Sequence, residues 1–451
     1  MPDPTPQVVE LSNQFRAQLL ARERRAASAM VRYYGAGWSR LQNDIRTLQR
    51  EYRQRTEAGE TLTQGQVWRL ERMQAIQAQA EAELEKFTPF AADTVAAGQR
   101  ESIAAGERNA YDLVRGSFLP EMGIEANFAT MPRDAVEQLA GFLQDGSPIE
   151  EVIRGYVGDA ADRFGETMVT GLISGWNPRK LARELRGSYG IGLSNALRLA
   201  RTEQLRAYRT ATINTYRANS GIIKEWERHA ALDGRTCMAC IVLDGKRYSL
   251  DEEMDDHVQG RCAMLPITKS YAELGIDAPE PDFSREKGID WFRRQDEATQ
   301  RRMMGPGKYD AWRNGLFDLT DIPKVIKSDV WGNSWVPKGL KELVGKEKSK
   351  VEAVVGIMTD RQAEYRRDLV DGKVEKLMSR HSTSDTLRAY LSVNLPPPAS
   401  TKDASAQISA LQGDIRQYRP EYAQQLLNEL GNDGLRALEK RIASLTSLDH
   451  Q

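Results

Sequence analysis

The three cysteines of this chain lie close together, with one of its four histidines among them. Cys237 and Cys240 form a C-x2-C pair, in which two thiolates can point into one turn while the intervening amides donate to sulfur. Sixteen residues separate Cys240 from His257, and four more separate His257 from Cys262. A closed structural zinc site takes four such sulfur and imidazole ligands. The spacing therefore predicts a structural Cys3His zinc site.

Two other states of these thiols remain open. Reduced cysteines without a metal would pack as small hydrophobic side chains. A disulfide is less favoured, because three cysteines leave one unpaired and nothing in the sequence indicates an oxidising compartment. We favour zinc over both.

The residues around this site resemble the Mu F-like family of phage minor head, or head morphogenesis, proteins. The shared residues, in chain order, are Arg201-Thr202-Glu203, Trp226, Asp233, Arg235-Thr236-Cys237, Cys240, Leu243, Gly245, His257 and Arg261-Cys262. The family typically ends this motif with H-P-x-C-R-C, and here Gly260 stands in place of the first of those two cysteines. The resemblance covers the region from about 149 to 267.

The resemblance implies a structural protein of a tailed bacteriophage and no enzymatic activity. Such a minor head protein would lie inside the capsid at the portal vertex, act in head assembly and take part in DNA delivery. Its partners would be the portal protein, the major capsid or scaffold protein, and packaged DNA through non-specific contact. Before assembly it would be in the host cytoplasm. Zinc would then only hold together a small module that has too little core of its own.

The composition fits a polar, helix-rich protein. The chain has 451 residues, 28% charged and 40% hydrophobic, with a net charge of −1. A net charge this small excludes a global basic field that recruits nucleic acid. The sequence shows no apolar run long enough to span a membrane, and the first residues lack the pattern of a signal peptide. We therefore expect the protein in a cytoplasm or in a particle assembled there.

The elements that must position the cysteines are mostly helical, and the predicted class is α+β, mainly α-helical. Long N-terminal helices and a central helical region lead into a small β-containing Cys/His module at 226–267, and a helical C-terminal region follows. The predicted domains are an N-terminal helical region (1–146), a Mu F-like head morphogenesis domain (147–278), a helical and aromatic region (279–395), and a helical tail (396–451) after a proline-rich linker.

Glycines and prolines predict where these helices break. Residues 8–55 should form one long amphipathic helix or two abutting ones that break at Gly35 and Gly37, and Pro89 should end a later helix. A glycine-rich loop at 187–192 should separate two more helices; it lacks the lysine of a phosphate-binding loop. In the Cys/His module, residues 241–243 and 246–250 should form a hairpin around Asp244-Gly245.

Arginines dominate the polar face of the first helix, and they allow two interpretations. They are Arg22, Arg24, Arg25, Arg32, Arg40, Arg46, Arg50, Arg53 and Arg55. We favour a solvated face balanced by Glu23, Asp44 and Glu51. The alternative is a basic stripe that meets DNA or an acidic protein surface.

Two further functional classes are weighed against the structural one. A zinc-ribbon nucleic-acid binder would contact phosphate through Lys246, Arg247, Arg261 and Lys269. Five acidic residues beside the predicted zinc ligands oppose that interpretation: Asp251, Glu252, Glu253, Asp255 and Asp256. An enzymatic or toxin domain could instead lie beyond Lys338, where the sequence shows no catalytic constellation. Arg201 and Glu203 could act beside a metal, but we favour a structural pair that ties a helix to the module.

Overall fold

The computed structural model describes residues 3–118, 122–280, 282–328 and 332–345. The residues up to Leu343 belong to one compact unit, and the description below concerns this unit. The predicted tail at 396–451 and the part of the 279–395 region from residue 346 onward lie outside the described residues. The predicted domain boundaries therefore stay predictions.

Four long helices form the frame and confirm the mainly helical class. They are α1 (Pro6–Glu57), α3 (Glu71–Gly116), α5 (Ile149–Ile173) and α6 (Pro178–Ala218), with the shorter α2 (Gln64–Trp68) and α4 (Arg133–Leu139) between them. Each long helix contributes apolar side chains to one core, including Leu41, Phe87, Phe164 and Leu199. Burial of this shared apolar surface is the main force that holds helices of this length together.

The predicted breaks in the first helices are wrong, because α1 and α3 are each continuous. Gly35 faces open space, whereas Gly37 is buried where a side chain would collide with the Tyr189 hydroxyl and with Glu83. Gly37 thus permits the close approach of α1 to its neighbours. Pro89 lies inside α3 between Phe87 and Ala91, both buried in the core. Packing on both sides of Pro89 outweighs the cost of about 3 kcal/mol for an interior proline.

The predicted glycine-rich loop at 187–192 is also wrong, since these residues lie inside α6. The helix begins after Gly175, which has a φ of 62°, and Asn177 caps it by accepting a hydrogen bond from the Lys180 amide. Gly192 lies against the backbone of α5, where a side chain would meet the carbonyl of Tyr156. Glycine at this position serves helix packing and leaves the helix unbroken.

The Cys/His module contains a three-stranded antiparallel sheet. The central strand is β1 (Ile223–His229), with β2 (Arg247–Ser249) on one side and β3 (Ala263–Thr268) on the other. The predicted strand at 241–243 is wrong: this segment belongs to helix α7 (Met238–Leu243). A short, continuous apolar run does not distinguish a buried strand from a buried helix. Consequently the predicted hairpin is absent, and β2 pairs with β1.

The C-terminal half of α6 supports this sheet. Tyr216 is fully buried, and its hydroxyl donates to the Met264 carbonyl at 2.9 Å. Trp226 of β1 is equally buried, packs in the same apolar cluster, and donates through Nε1 to the Glu252 carbonyl at 3.0 Å. The frame and the module therefore share a core, which sets the position of the loops that carry the cysteines and His257.

Short elements follow the module in the described residues. They are α8 (Gly288–Arg294), α9 (Glu297–Met304), α10 (Pro306–Arg313), the strands β4 (Pro323–Ile326) and β5 (Ser334–Pro337), and α11 (Leu340–Val344). Strands β4 and β5 form an antiparallel hairpin that the sequence analysis did not predict. Among the described residues, no helix is both long and apolar enough to cross a membrane.

Candidate metal centre

Helix α7 positions the first half of the centre. Cys237 caps the helix N-terminus, and its sulfur accepts the Cys240 amide at 3.4 Å. Cys240 lies one turn further on, with 2% of its surface exposed. Because the cap fixes the backbone of the C-x2-C segment, both thiols are held at the same end of this short helix.

A tight loop before β3 positions the second half. The Gly260 amide donates to the His257 carbonyl at 2.7 Å, and Gln259 adopts a φ of 62°. The side chain of His257 uses Nδ1 to donate to the Val258 carbonyl at 2.9 Å. This bond requires the proton on Nδ1, so the lone pair of Nε2 is available to a metal ion.

The four predicted ligands form two overlapping groups that share Cys240. The ligand atoms of Cys237, Cys240 and His257 lie within 4.8 Å of one another, and those of Cys240, Asp256 and Cys262 do so as well. The structure thus gathers the predicted residues at one place, with Asp256 beside them. One tetrahedral ion would have to draw the two groups together around Cys240, since zinc–ligand bonds are about 2.0 to 2.3 Å.

Asp256 is the functional residue that the sequence analysis missed. Its carboxylate is 1% exposed, and it accepts hydrogen bonds at 2.7 Å from both Arg228 of β1 and Arg209 of α6. The Cys240 sulfur is 3.8 Å from the same carboxylate and 3.8 Å from the Arg228 guanidinium. With two guanidiniums on its oxygens, Asp256 is better suited to position the thiols than to bind metal.

Asp256 also explains the departure from the family motif. The Asp256 carboxylate lies directly against Gly260 and fills the space that any side chain at position 260 would enter. A cysteine there would collide with Asp256 as it is placed. In this chain a buried carboxylate therefore fills the space beside position 260, where the H-P-x-C-R-C motif that the sequence resembles has its first cysteine.

Arg209 connects the metal-binding loop to the helical frame. Besides Asp256, its guanidinium donates to the carbonyls of Gly260 at 2.7 Å and Cys262 at 2.9 Å. A planar guanidinium with several donors is suited to such multiple contacts. The position of the His257–Cys262 loop is consequently set by a residue about fifty positions earlier in the chain.

The charges in the centre favour a bound cation. A hydrogen bond with Cys240 lowers the pKa of Cys237. A hydrogen bond with Cys237 raises the pKa of Cys240, a hydrogen bond with Cys240 raises the pKa of Cys262, and burial raises both. Three adjacent thiols cannot all ionise without a compensating positive charge. The hydrogen bond with Cys240 also raises the pKa of His257 to about 9. A divalent cation would reverse this by holding the sulfurs as thiolates and the imidazole neutral.

Arg201 and Glu203 do not form the tie to the module that the sequence suggested. Glu203 is 2% exposed and accepts from Arg206 of its own helix and from Gln99 of α3. Arg201 pairs with Glu23 of α1 at 3.3 Å. These residues connect helices within the frame. The intervening Thr202 is the one that reaches the module, where its hydroxyl accepts the amide of Gln259.

Most cations proposed as phosphate contacts of a zinc ribbon are engaged within the fold. Arg247 pairs with Asp3 and Glu227, and Arg261 forms two 2.6 Å bonds to Asp233. Lys246 lies over the rings of two aromatic residues. Only Lys269 has no such contact among those found in the described part of the chain. These contacts weaken the zinc-ribbon alternative.

The donor set suits a structural zinc ion. Cys237, Cys240, Cys262 and His257 would supply three thiolates and one neutral imidazole, which gives a centre with a net charge of −1. The buried network beside it contains two guanidiniums and one carboxylate, with a net charge of +1. The two charges compensate each other away from water. Zinc here would stabilise the fold, and a complete ligand set leaves no open position for catalysis.

Comparison with protein families finds a match to part of this chain. Residues 162–265 match the sequence model of the family described as Phage Mu protein F like protein. The match begins within α5, spans α6, β1, α7 and β2, and ends in β3, so it includes all four predicted ligands and confirms the resemblance seen in the sequence. Neither the curated proteins nor the solved structures gave a significant match. The matched family is one of structural head proteins and indicates a role in phage head morphogenesis.

Proposed function

We propose that this protein is a minor head component of a tailed phage that binds the portal protein inside the capsid and acts in head assembly and DNA delivery. The observation that carries the proposal is the family match over 162–265, a segment that contains α6 of the frame and nearly all of the Cys/His module. Zinc bound by Cys237, Cys240, His257 and Cys262 has a structural role in this proposal.

The packing of the frame supports an assembly role. Helix α6 contributes to the main core through residues such as Leu199, and its C-terminal half carries the module through Arg209 and Tyr216. Because α6 is one continuous helix of 41 residues, it fixes the position of the module relative to the frame. Surfaces formed by long, firmly packed helices are well suited to bind other head proteins.

The first experiment tests incorporation into phage heads. The full chain, tagged and supplied to a phage that lacks it, should be recovered in purified heads and should co-purify with the portal protein of that phage. A Cys240→Ser variant should be recovered less, because the module that it supports no longer folds firmly. Absence of the wild-type chain from both heads and portal complexes would refute the proposal.

A matched control separates assembly from general misfolding. Arg183 is an exposed residue on α6 that pairs with its neighbour Glu184, and it contacts neither the core nor the module. Arg183→Ala should be incorporated as well as the wild type. Loss of incorporation in both variants would show that the assay reports protein level and not the module.

A further inference from the structure

The outer face of α1 carries a straight row of arginines. Six exposed arginines project from it over a span of about 29 residues, which at 1.5 Å per residue is roughly 43 Å. They are Arg24, Arg25, Arg32, Arg46, Arg50 and Arg53. At about 100° per residue, all six fall within an arc of about 100°, opposite the buried face that contains Leu41 and Leu48. We call these six residues the arginine stripe.

Two of the acids near the stripe form ion pairs with arginines of other helices, and one of them, Glu23, also interacts with Arg24 of the stripe. Glu23 pairs with Arg201 of α6, and Glu51 binds Arg72 of α3 through two hydrogen bonds of 2.9 and 3.0 Å. Asp44 acts on the same Arg72 guanidinium. The stripe is therefore solvated, as the sequence favoured, but Glu23 and Glu51 form their ion pairs with arginines of other helices.

The stripe itself makes few contacts. Arg46 donates to the Gln42 carbonyl and Arg50 to the Thr47 hydroxyl, both within the same helix. No member of the stripe forms an ion pair with an acid of the described ranges. No acidic residue of α1 lies on the same arc between Arg24 and Arg53. Glu57, four residues beyond Arg53, is the first acid of α1 on this arc after the stripe. From Arg24 to Arg53 the arc is thus a row of positive charge on a chain with a net charge of −1.

The residues between the arginines indicate the kind of partner. Those on the same arc are small or polar, including Ser28, Gly35, Ser39 and Asn43, and open space surrounds Gly35. A protein interface usually has an apolar or aromatic centre, whereas Val31 is the one large apolar side chain strongly exposed on this helix. Arginine with serine and asparagine is instead the set that contacts nucleic-acid phosphates.

We infer that the arginine stripe is a docking surface for the phosphate backbone of double-stranded DNA, without base readout. A length of roughly 43 Å corresponds to about one turn of duplex, which carries one phosphate charge per 1.7 Å of its axis. The stripe lies outside the matched residues 162–265, so the family match does not assign a DNA contact to this surface. The inference rests on the proposed function only for the source of the DNA, which inside a head is the packaged genome.

Salt-dependent binding of the purified full-length protein tests this inference. The probe is a fluorescent 30-base-pair duplex of arbitrary sequence, titrated by anisotropy between about 50 and 200 mM NaCl. Wild type should bind with an affinity that falls steeply with salt. The variant R32Q/R46Q/R50Q should reduce the slope of log K against log salt by about 2.7, at about 0.9 per lost phosphate contact. At 0.1 M salt this corresponds to a loss of affinity on the order of 10²-fold.

A variant with the same change in charge serves as the control. R154Q/R183Q/R293Q removes three exposed arginines from other helices and should keep the wild-type slope. Both variants should keep the melting temperature of the wild type. Absence of duplex binding by the wild type, or an equal loss in the two variants, would overturn the inference. An unchanged affinity in R32Q/R46Q/R50Q would also overturn it and would point to an acidic protein as the partner.

The DNA assay does not depend on incorporation into heads. If the stripe binds DNA but the chain is absent from heads, the proposed function fails and the surface assignment stands. If the chain enters heads normally but its DNA binding does not depend on the stripe, the surface assignment fails and the proposed function stands.

Discussion

The Cys/His module and the outer face of α1 use arginine in opposite ways. In the module, Arg228 and Arg261 are largely buried and each binds a carboxylate at close range. On α1, the six members of the arginine stripe are exposed and form no ion pair with an acid in the described part of the chain. Buried charges must be paired to be tolerated, whereas unpaired surface charges remain available to another molecule. The module thus uses its charges for stability, and α1 presents its charges for binding.

The largest expected effect comes from removing a ligand of the proposed metal centre. Wild type purified without chelator should contain about one zinc per chain by mass spectrometry. Cys237→Ser and Cys262→Ser should each lower the metal content and the melting temperature together, because metal binding contributes directly to folding. An unchanged melting temperature after complete loss of metal would contradict the structural role of the ion.

Breaking the buried ion pair in the module should have the next largest effect. Arg228→Met leaves Asp256 buried with only Arg209, and loss of one partner of a buried pair typically costs about 3 to 5 kcal/mol of unfolding free energy. Urea denaturation measures this cost. As a control, Arg154→Met removes an exposed arginine paired with Glu150, and it should cost less than about 1 kcal/mol. Equal costs would show that burial does not distinguish the two kinds of arginine.

The stability of the module should depend on pH through a second buried pair, His229 and Asp244. Burial lowers the pKa of His229 although Asp244 opposes the shift, and nearby Arg16 and Arg285 lower it further. The unfolded chain therefore binds a proton more readily than the folded one below about pH 6.5. Stability should decrease as the pH falls from 7 towards 5, by at most about 1.4 kcal/mol per pH unit from this group. His229→Gln should flatten this part of the curve of unfolding free energy against pH.

If the unfolding free energy of His229→Gln depends on pH between 7 and 5 as strongly as that of the wild type, titration of His229 is not the cause of that dependence.

Asp244 contributes to a separate range at lower pH. Its pKa is lowered: burial raises it, but His229 and Arg285 more than offset that effect. The stability that Asp244 provides is present above its unfolded pKa of about 3.9 and is lost as the pH falls further. The two groups can therefore be separated along the pH axis.

The smallest expected effect is that of single substitutions in the arginine stripe. Arg32→Gln and Arg53→Gln remove exposed side chains without ion-pair partners among the described residues. Each should change the unfolding free energy by less than about 0.5 kcal/mol. A larger loss, measured by urea denaturation, would show that the stripe stabilises the fold. The arginines of α1 would then have the same role as the buried arginines of the module.

Local sequence patterns predicted the helical class, the clustering of the cysteines with His257 and the family match, but not where the helices end. Helical periodicity identified α1, whereas α7 was not predicted, because the C-x2-C pair was interpreted as a turn followed by a strand. Gly37 and Pro89 were interpreted as breaks because local propensity disfavours them inside a helix. Tertiary packing on both flanks overrides that propensity. Similarly, the apolar run at 241–243 suits a strand or a helix, and the Cys237 cap selects the helix.

By itself, the sequence determined which residue types lie close together along the chain: the cysteine pair, the following histidine and cysteine, and the arginine-rich face of a long helix. Only the tertiary structure decided which charges are compensated. Asp256 accepts a hydrogen bond from Arg209, which lies 47 residues away in the chain. Glu23 and Glu51 form ion pairs with arginines on other helices. The reason is physical: electrostatic pairing depends on distance in space, and residues far apart in the chain become neighbours only when the hydrophobic core has packed the helices together.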